Sequence, residues 1–400
     1  MDNQVIAANL VRLRKHHGKT QVEIAEASGL SRAAYRAVEK GRSLPRTENL
    51  RAIARALQVP VRELVTPVPR LQHVRFRSLK KLKSRDQIMV EVARWLQDFS
   101  ELEELLGERG AHDLEGIWHD LDQVETARPL AAAALVREHL GLSPDQPVFD
   151  VCGLLEAHGI KVHAIEVASD AFLGLSVAPE DGGPAVVVNN WARLAVEHWI
   201  YSAVHELGHL LLHRPTYDIE VEAEDDDQEM EAEAFASHFL MPDDAFQREW
   251  RDARGLSFLD RVIKVKRIFR VSWRVVIYRV CEPLSKARRA QVWKRTAWEY
   301  KARTGRPLLR LTEPDGVPSG VFGAPRIIAR SGSEVSRIDA FDFKVDRLAW
   351  LVRRAFEQGE ISLSRAAEIL DVSLETMRER AVSWAEAGVD GCSSSSMPMS

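Results

Sequence analysis

Residues 204–213 read VHELGHLLLH, Val204-His205-Glu206-Leu207-Gly208-His209-Leu210-Leu211-Leu212-His213. Apolar residues recur at helical spacing around this stretch, and one long helix is predicted from Trp191 to about His213. His205 and His209 are four apart, so they share a face on adjacent turns. Two imidazoles so placed can both point at one metal ion. Glu206, directly after the first, is within reach of a water on such an ion. Zinc lowers the pKa of that water to roughly 7, and a neighbouring carboxylate takes the proton as the water attacks a carbonyl. Gly208 costs helix propensity, ~1 kcal/mol against alanine; its expected use is close packing beneath the site.

HExxH alone is a weak signal, and a catalytic zinc needs a third protein ligand beside an open position. Downstream, nine of the fourteen residues 220–233 are acidic. Glu220 to Asp227 read as a solvated acidic loop. From Gln228 the pattern turns helical, with Met230, Ala232, Phe235, Ala236, Phe239 and Leu240. A glutamate helix with alanine three residues on, following HExxH, resembles the gluzincin metallopeptidases. That resemblance implies Glu229 as third ligand, with Glu231 and Glu233 as rivals. Glu233 better suits a carboxylate that hydrogen-bonds a ligand imidazole and fixes its tautomer. His213 could ligate, but it suits the helix C-terminus, where a partial negative charge favours it. His238 reads as structural.

The whole constellation, VHELGHLLLH followed by EMEAEAFASHFLMP from Glu229 to Pro242, resembles the ImmA/IrrE metallopeptidases. Gly174 in LGLS, the strand AVVVNN and the helix entering at AVEHWIYSAVHE fit as well. Two positions depart from the family: Glu233, where asparagine is common, and His198, where arginine is more usual. The resemblance implies zinc (with manganese also accepted by two histidines and a carboxylate) and a protein substrate. The resemblance further implies that this substrate is a partner repressor, cut on a stress or induction signal. Tyr278 and His213 are candidate oxyanion stabilisers.

The first sixty-six residues read differently. Ile6, Leu10 and Leu13 mark a first helix ending near Gly18. Thr20 caps a second, Gln21 to Ala27, with Glu23 placed for a capping box. Gly29 supplies a turn, Ser31 caps a third helix to about Glu39, and Pro45 opens a further stretch with Leu50, Ile53, Ala54 and Leu57. This pattern resembles the Cro/phage-repressor-type (XRE) helix-turn-helix family over residues 5–65. The resemblance implies that the third helix enters the major groove of double-stranded DNA, where Ser31, Arg32, Ala34, Tyr35 and Arg36 face the bases and backbone. Gln21 would touch phosphate, and such domains bind as dimers.

The charge agrees with a polyanionic partner. The net charge is −4, yet residues 1–66 carry twelve Lys/Arg against six Asp/Glu, and residues 67–94 carry eight against two. The 45% hydrophobic content supports packed cores. No apolar run is long enough to span a bilayer and no signal-peptide pattern opens the chain, so a cytoplasmic protein without a membrane partner is expected. Cys152, Cys281 and Cys392 are odd in number and far apart, which argues for a reducing compartment.

The expected fold is multidomain and mainly α, with an α+β centre. Residues 1–66 form an all-α helix-turn-helix and residues 67–125 a basic linker and helical spacer. Residues 126–285 form the gluzincin-like metallopeptidase domain. Its end, 256–284, alternates basic and apolar residues, with Ser272 capping a helix that carries Tyr278 and Arg279; core packing with a basic exterior, or contact with DNA or a protein substrate, is expected there. Residues 286–390 form a helical C-terminal region with a second helix-turn-helix rhythm, and residues 391–400 a disordered tail. The function expected is a DNA-binding, zinc-dependent endopeptidase. The competing reading is a non-proteolytic transcription factor or antitoxin whose peptidase fold acts as a sensor.

Overall fold

The computed structural model describes residues 2–67, 71–76, 85–108, 112, 114–123, 128–217, 226–314 and 338–392. The chain divides into two compact units, Met1–Arg70 with Lys83–Gln97, and Leu71–Leu82 with Asp98–Ser400.

In the first unit five helices, α1 (Asn3–His16), α2 (Gln21–Ala27), α3 (Arg32–Glu39), α4 (Thr47–Ala56) and α5 (Arg62–Val65), close on one core. The local signals act as expected. Thr20 Oγ1 accepts from Glu23 N at 3.2 Å, while Glu23 accepts from Thr20 N at 2.7 Å. Both orphan donors of the helix start are thereby satisfied. Gly29 takes a φ of 70°, a left-handed turn that favours glycine. Arg14 of α1 donates to the buried Glu39 of α3 at 2.6 Å, tying the ends of the motif together.

The second unit is built on a four-stranded sheet of order β1-β3-β4-β2. The strands are β1 (Val74–Phe76), β2 (Lys161–Ile165), β3 (Gly174–Val177) and β4 (Ala185–Asn189). β2 and β4 are parallel, and the other pairings are antiparallel. The helices that follow the first unit are α6 (Arg85–Leu105), whose residues divide between the two units, α7 (Leu114–Leu121), α8 (Arg128–His139) and α9 (Val151–Ala157). Next come α10 (Val196–Leu212), which packs against β3, β4 and α11 (Asp226–Leu240), then α12 (Asp243–Asp252), α13 (Phe258–Phe269), α14 (Trp273–Cys281) and α15 (Lys286–Thr304). Helices α16 (Arg347–Glu357), α17 (Leu363–Ile369) and α18 (Leu374–Cys392) complete the order.

Several boundaries differ from the sequence expectation. Part of the expected linker is β1, paired with β3 a hundred positions away, a partnership no local pattern encodes. The long helix begins at Val196, because Trp191 to Leu194 close a turn instead. The region after residue 285 is not separate from the central domain: Phe343 lies in the same core, and its ring sits 6.1 Å from that of Trp199.

The basic residues of α13 and α14 do not form an exterior. Lys266 is buried between Glu197 at 2.7 Å and Glu313 at 3.0 Å, and these charges raise its pKa against the opposing effect of burial. Arg279 is buried against Asp243 and Glu282. Ser272 caps α14 as expected, accepting from Arg274 N at 3.3 Å. At the C-terminus α17 and α18 follow one another across a short turn, and Arg365 of α17 pairs with Asp98 at 2.6 Å and Glu101 at 2.7 Å. Cys152 and Cys281 are buried free thiols. Among the described residues no helix is long and apolar enough to cross a membrane. The acidic stretch 218–225, the lysine-rich residues 77–84 and the tail from 393 on lie outside the described residues.

Glu156 on α9 links packing to pH. Burial first, and the charge of Asp346 second, push its pKa up from 4.5 to about 8. The folded state therefore holds a proton that the unfolded chain releases near the ordinary value. The stability this gives is full below the unfolded pKa and is lost as pH rises through about 8. Glu156→Gln should flatten the fall in melting temperature between pH 5 and pH 8, as followed by thermal denaturation of both chains.

Candidate metal centre and nucleic-acid interface

α10 buries His205 and His209 at 1% exposure each, with their Nε2 atoms 3.0 Å apart. Glu229 enters from the first turn of α11, where the helix dipole favours a carboxylate. Its oxygens lie 3.3 Å from His205 Nε2 and 3.1 Å from His209 Nε2. One ligand atom from each of the three residues falls within 4.8 Å of the others.

The two helices can come this close because of Gly208. A Cβ there would meet Phe235 Cδ1 at 2.9 Å and Ala232 Cα at 3.4 Å. The expected close packing beneath the site is present. Burial drives the His209 pKa down to about 3, so the imidazole is neutral. Burial alone would raise the Glu229 carboxyl, but the bonds to His205 and His209 outweigh it and hold the group ionised. Two imidazoles, that of His209 neutral, and one carboxylate aimed at a single point fit a divalent ion with one open position.

Glu206, also 1% exposed, is held on its other side. Ser176 Oγ donates to Glu206 Oε2 at 2.9 Å, and the Tyr217 hydroxyl donates to Ser176 Oγ at 2.7 Å. Gly174 leaves the space for this: a Cβ there would lie 3.2 Å from Glu206 Cγ and 2.9 Å from Val187 O. Ser176 and Tyr217 escaped the sequence reading. The strand, GLSV, carries no local signal beyond a serine among small and apolar residues.

His213 is not a ligand. Its Nδ1 lies 2.9 Å from His209 Nδ1, and its Nε2 lies 2.9 Å from Glu231 Oε2. Both ring nitrogens are engaged, so His213 also drops out as an oxyanion stabiliser. Glu231, a rival for the metal, is instead the outer end of this chain. Glu233 receives the Tyr201 hydroxyl on its backbone oxygen at 3.1 Å. Tyr278 is 39% exposed; burial raises its pKa, with the charges of Glu282 and Glu233 adding to the effect. His238 bonds Asp243 and Glu282, in keeping with a structural role.

In the first unit Arg32, Ala34 and Arg36 are exposed on α3, and Gln21 is half-buried at the start of α2. Ser31 is exposed, with its hydroxyl accepting from Ala34 N at 3.2 Å. Tyr35 is a correction. It is fully buried in the core with Val38, so it cannot face DNA. Tyr35, Val38 and Glu39 share the inner face at helical spacing, which leaves Arg32 and Arg36 on the outer one.

A helix-turn-helix family model matches residues 10–64. An uncharacterized HTH-type transcriptional regulator of Sinorhizobium fredii is 39% identical over 64 residues, 16% of this chain and 83% of the relative. The chain belongs to the helix-turn-helix regulators. A cryptic phage CTXphi transcriptional repressor of Vibrio cholerae is 41% identical over 59 residues, 15% of this chain and 53% of the relative. An IrrE N-terminal-like domain model of the M78 peptidases matches residues 155–280, which takes in the sheet from β2 onward, both histidines, Glu206 and Glu229. This regulator thus joins a helix-turn-helix domain to an IrrE/ImmA-like domain.

Two outcomes follow from the geometry. His213→Ala should weaken the binding of an added divalent ion at His205, His209 and Glu229 about 10–100-fold, as loss of an outer hydrogen-bond partner does, read by competition with a chromogenic chelator. Tyr35→Ala should destabilise the first unit by about 3–5 kcal/mol, whereas Arg36→Ala should leave its melting temperature unchanged in the same calorimetric scan.

Proposed function

We propose that this chain is a DNA-binding regulator whose central domain is a zinc-dependent endopeptidase that cuts a partner repressor on an inducing signal. The observation that carries the reading is the convergence of His205, His209 and Glu229 with Glu206 held beside them.

His205, His209 and Glu229 would hold the metal. Either zinc or manganese suits that set, and the affinity order favours zinc. When bound, such an ion supplies Lewis acidity to a carbonyl oxygen and makes water acidic near neutral pH. Glu206 is the proton acceptor. The Ser176 hydroxyl fixes one of its oxygens, which would restrict how the carboxylate meets the reacting water. The Tyr217–Ser176 chain keeps that geometry within a buried setting. His213 and Glu231 orient the His209 ring from behind. Glu233 supports the Tyr201 hydroxyl, whose ring is 6.4 Å from that of His205, and is a further candidate for orienting the site. Tyr278 remains the candidate for stabilising developing negative charge.

On the DNA side, α3 presents Arg32 and Arg36, with Ser31 and Ala34 beside them and Gln21 at the start of α2. The basic surplus of the first ninety-four residues supports a double-stranded DNA partner. A homodimer on two half-sites is the arrangement such domains use.

The test is metal content per purified chain, with repressor cleavage and operator binding alongside. The wild type should bind near-stoichiometric zinc and cut a repressor. Glu206→Gln should keep zinc and operator binding and lose about 10²–10⁴-fold in cleavage rate, and His209→Ala should lose the zinc. Arg32→Ala with Arg36→Ala should weaken operator binding and leave zinc alone. Zinc-loaded wild type that regulates in cells equally well with Glu206→Gln would overturn proteolysis and leave a metal-bearing sensor.

A further inference from the structure

The chain between the two family matches carries something neither match covers. Residues Leu71–Leu82 belong to the second unit, although the residues before and after them belong to the first. Within that stretch β1 lies antiparallel on β3, with Val74 opposite Val177, Arg75 opposite Ser176 and Phe76 opposite Leu175. β3 is the strand that presents Gly174 and Ser176 to Glu206. Without β1 it would be the open edge of the sheet beside the metal ligands.

Residues directly opposite in an antiparallel pair share a face. Arg75 therefore emerges on the same side as the Ser176 hydroxyl. Its guanidinium reaches Thr216 Oγ1 at 2.7 Å and Gln228 Oε1, and lies 3.9 Å from Glu229 Oε1, the third ligand. All three partners are acceptors, and one is charged. The rest of the strand is held by main-chain groups. His73 O accepts from Ala178 N at 2.9 Å, and Asp181 accepts from the backbone N–H groups of Gln72 and His73. Main-chain pairing on a sheet edge, with side chains read at alternate positions, is how folded domains take up extended peptides.

We propose that Val74–Phe76 is a tethered occupant of the substrate edge, and that the substrate is an extended polypeptide with a basic side chain where Arg75 now sits. The substrate role rests on the peptidase reading above. A strand of three residues is short enough to be displaced by a longer partner. While it stays on β3, a second peptide cannot pair with that strand. The segment joining the two domains therefore keeps the site closed until it is lifted.

The test uses the full chain carrying Glu206→Gln, loaded with zinc so that nothing is cut. The probe is a fluorescent peptide of residues 71–76, LQHVRF, followed by anisotropy. It should bind at least about tenfold more tightly when Arg75→Ala and Asp181→Ala remove the anchors of β1. An otherwise identical peptide with alanine for its arginine should lose about tenfold on that opened chain. Circular dichroism and zinc content establish that the variant is folded; if the double variant is not, Arg75→Ala alone makes the same comparison. Equal peptide binding by closed and opened chains, or equal binding of both peptides, overturns the proposal. A chain that binds the peptide but, with Glu206 restored, cuts no repressor keeps the occupied edge and removes the peptidase reading. Cleavage by a chain that ignores the peptide does the reverse.

Discussion

Everything at the candidate metal centre depends on how closely two helices approach. α10 carries both histidines and α11 carries the carboxylate, and a single missing side chain at Gly208 lets them meet. Phe235 fills the space a Cβ would need, and Ala232 lies across from it. The alanine three residues after Glu229 and the glycine before His209 are therefore two halves of one contact. Its effect is to set Glu229 against the two imidazoles, of which burial keeps that of His209 neutral, a donor set ready for a cation.

The sequence made these features legible because they are local. Caps, the left-handed turn at Gly29 and the periodicity of α11 all work within a few residues, and so does the spacing of His205 and His209. What it hid was non-local. Nothing near Arg75 announces that its strand pairs with β3, or that its side chain reaches Glu229. Nothing near Ser176 announces Glu206. Tyr35 was misplaced for a related reason: a tyrosine on an amphipathic helix suits either face, and only the packing of Val38 and the Arg14–Glu39 pair decides between them.

Charge was the least legible property of all. Lysine and arginine alternating with apolar residues along α13 and α14 read as a wet, basic surface. In the fold Lys266 is enclosed by two carboxylates, one before the histidine helix turns inward and one far along the chain at Glu313. A pattern in one segment cannot show that its charges are cancelled by another. His213 does stand at the C-cap of α10, as its position suggests, but its bond to Glu231 is one that no local pattern shows.

Glu313 also fixes what counts as one domain. It accepts from Ser272 at 2.6 Å, closes on Lys266 and lies 3.5 Å from His198. It stands outside the stretch that matches the IrrE-like model, which ends at 280. A central domain severed after that point would leave a buried ammonium with half its counter-charge, a loss of about 3–5 kcal/mol when one partner of a buried pair is removed. The smallest autonomous form of this domain therefore reaches past its family boundary.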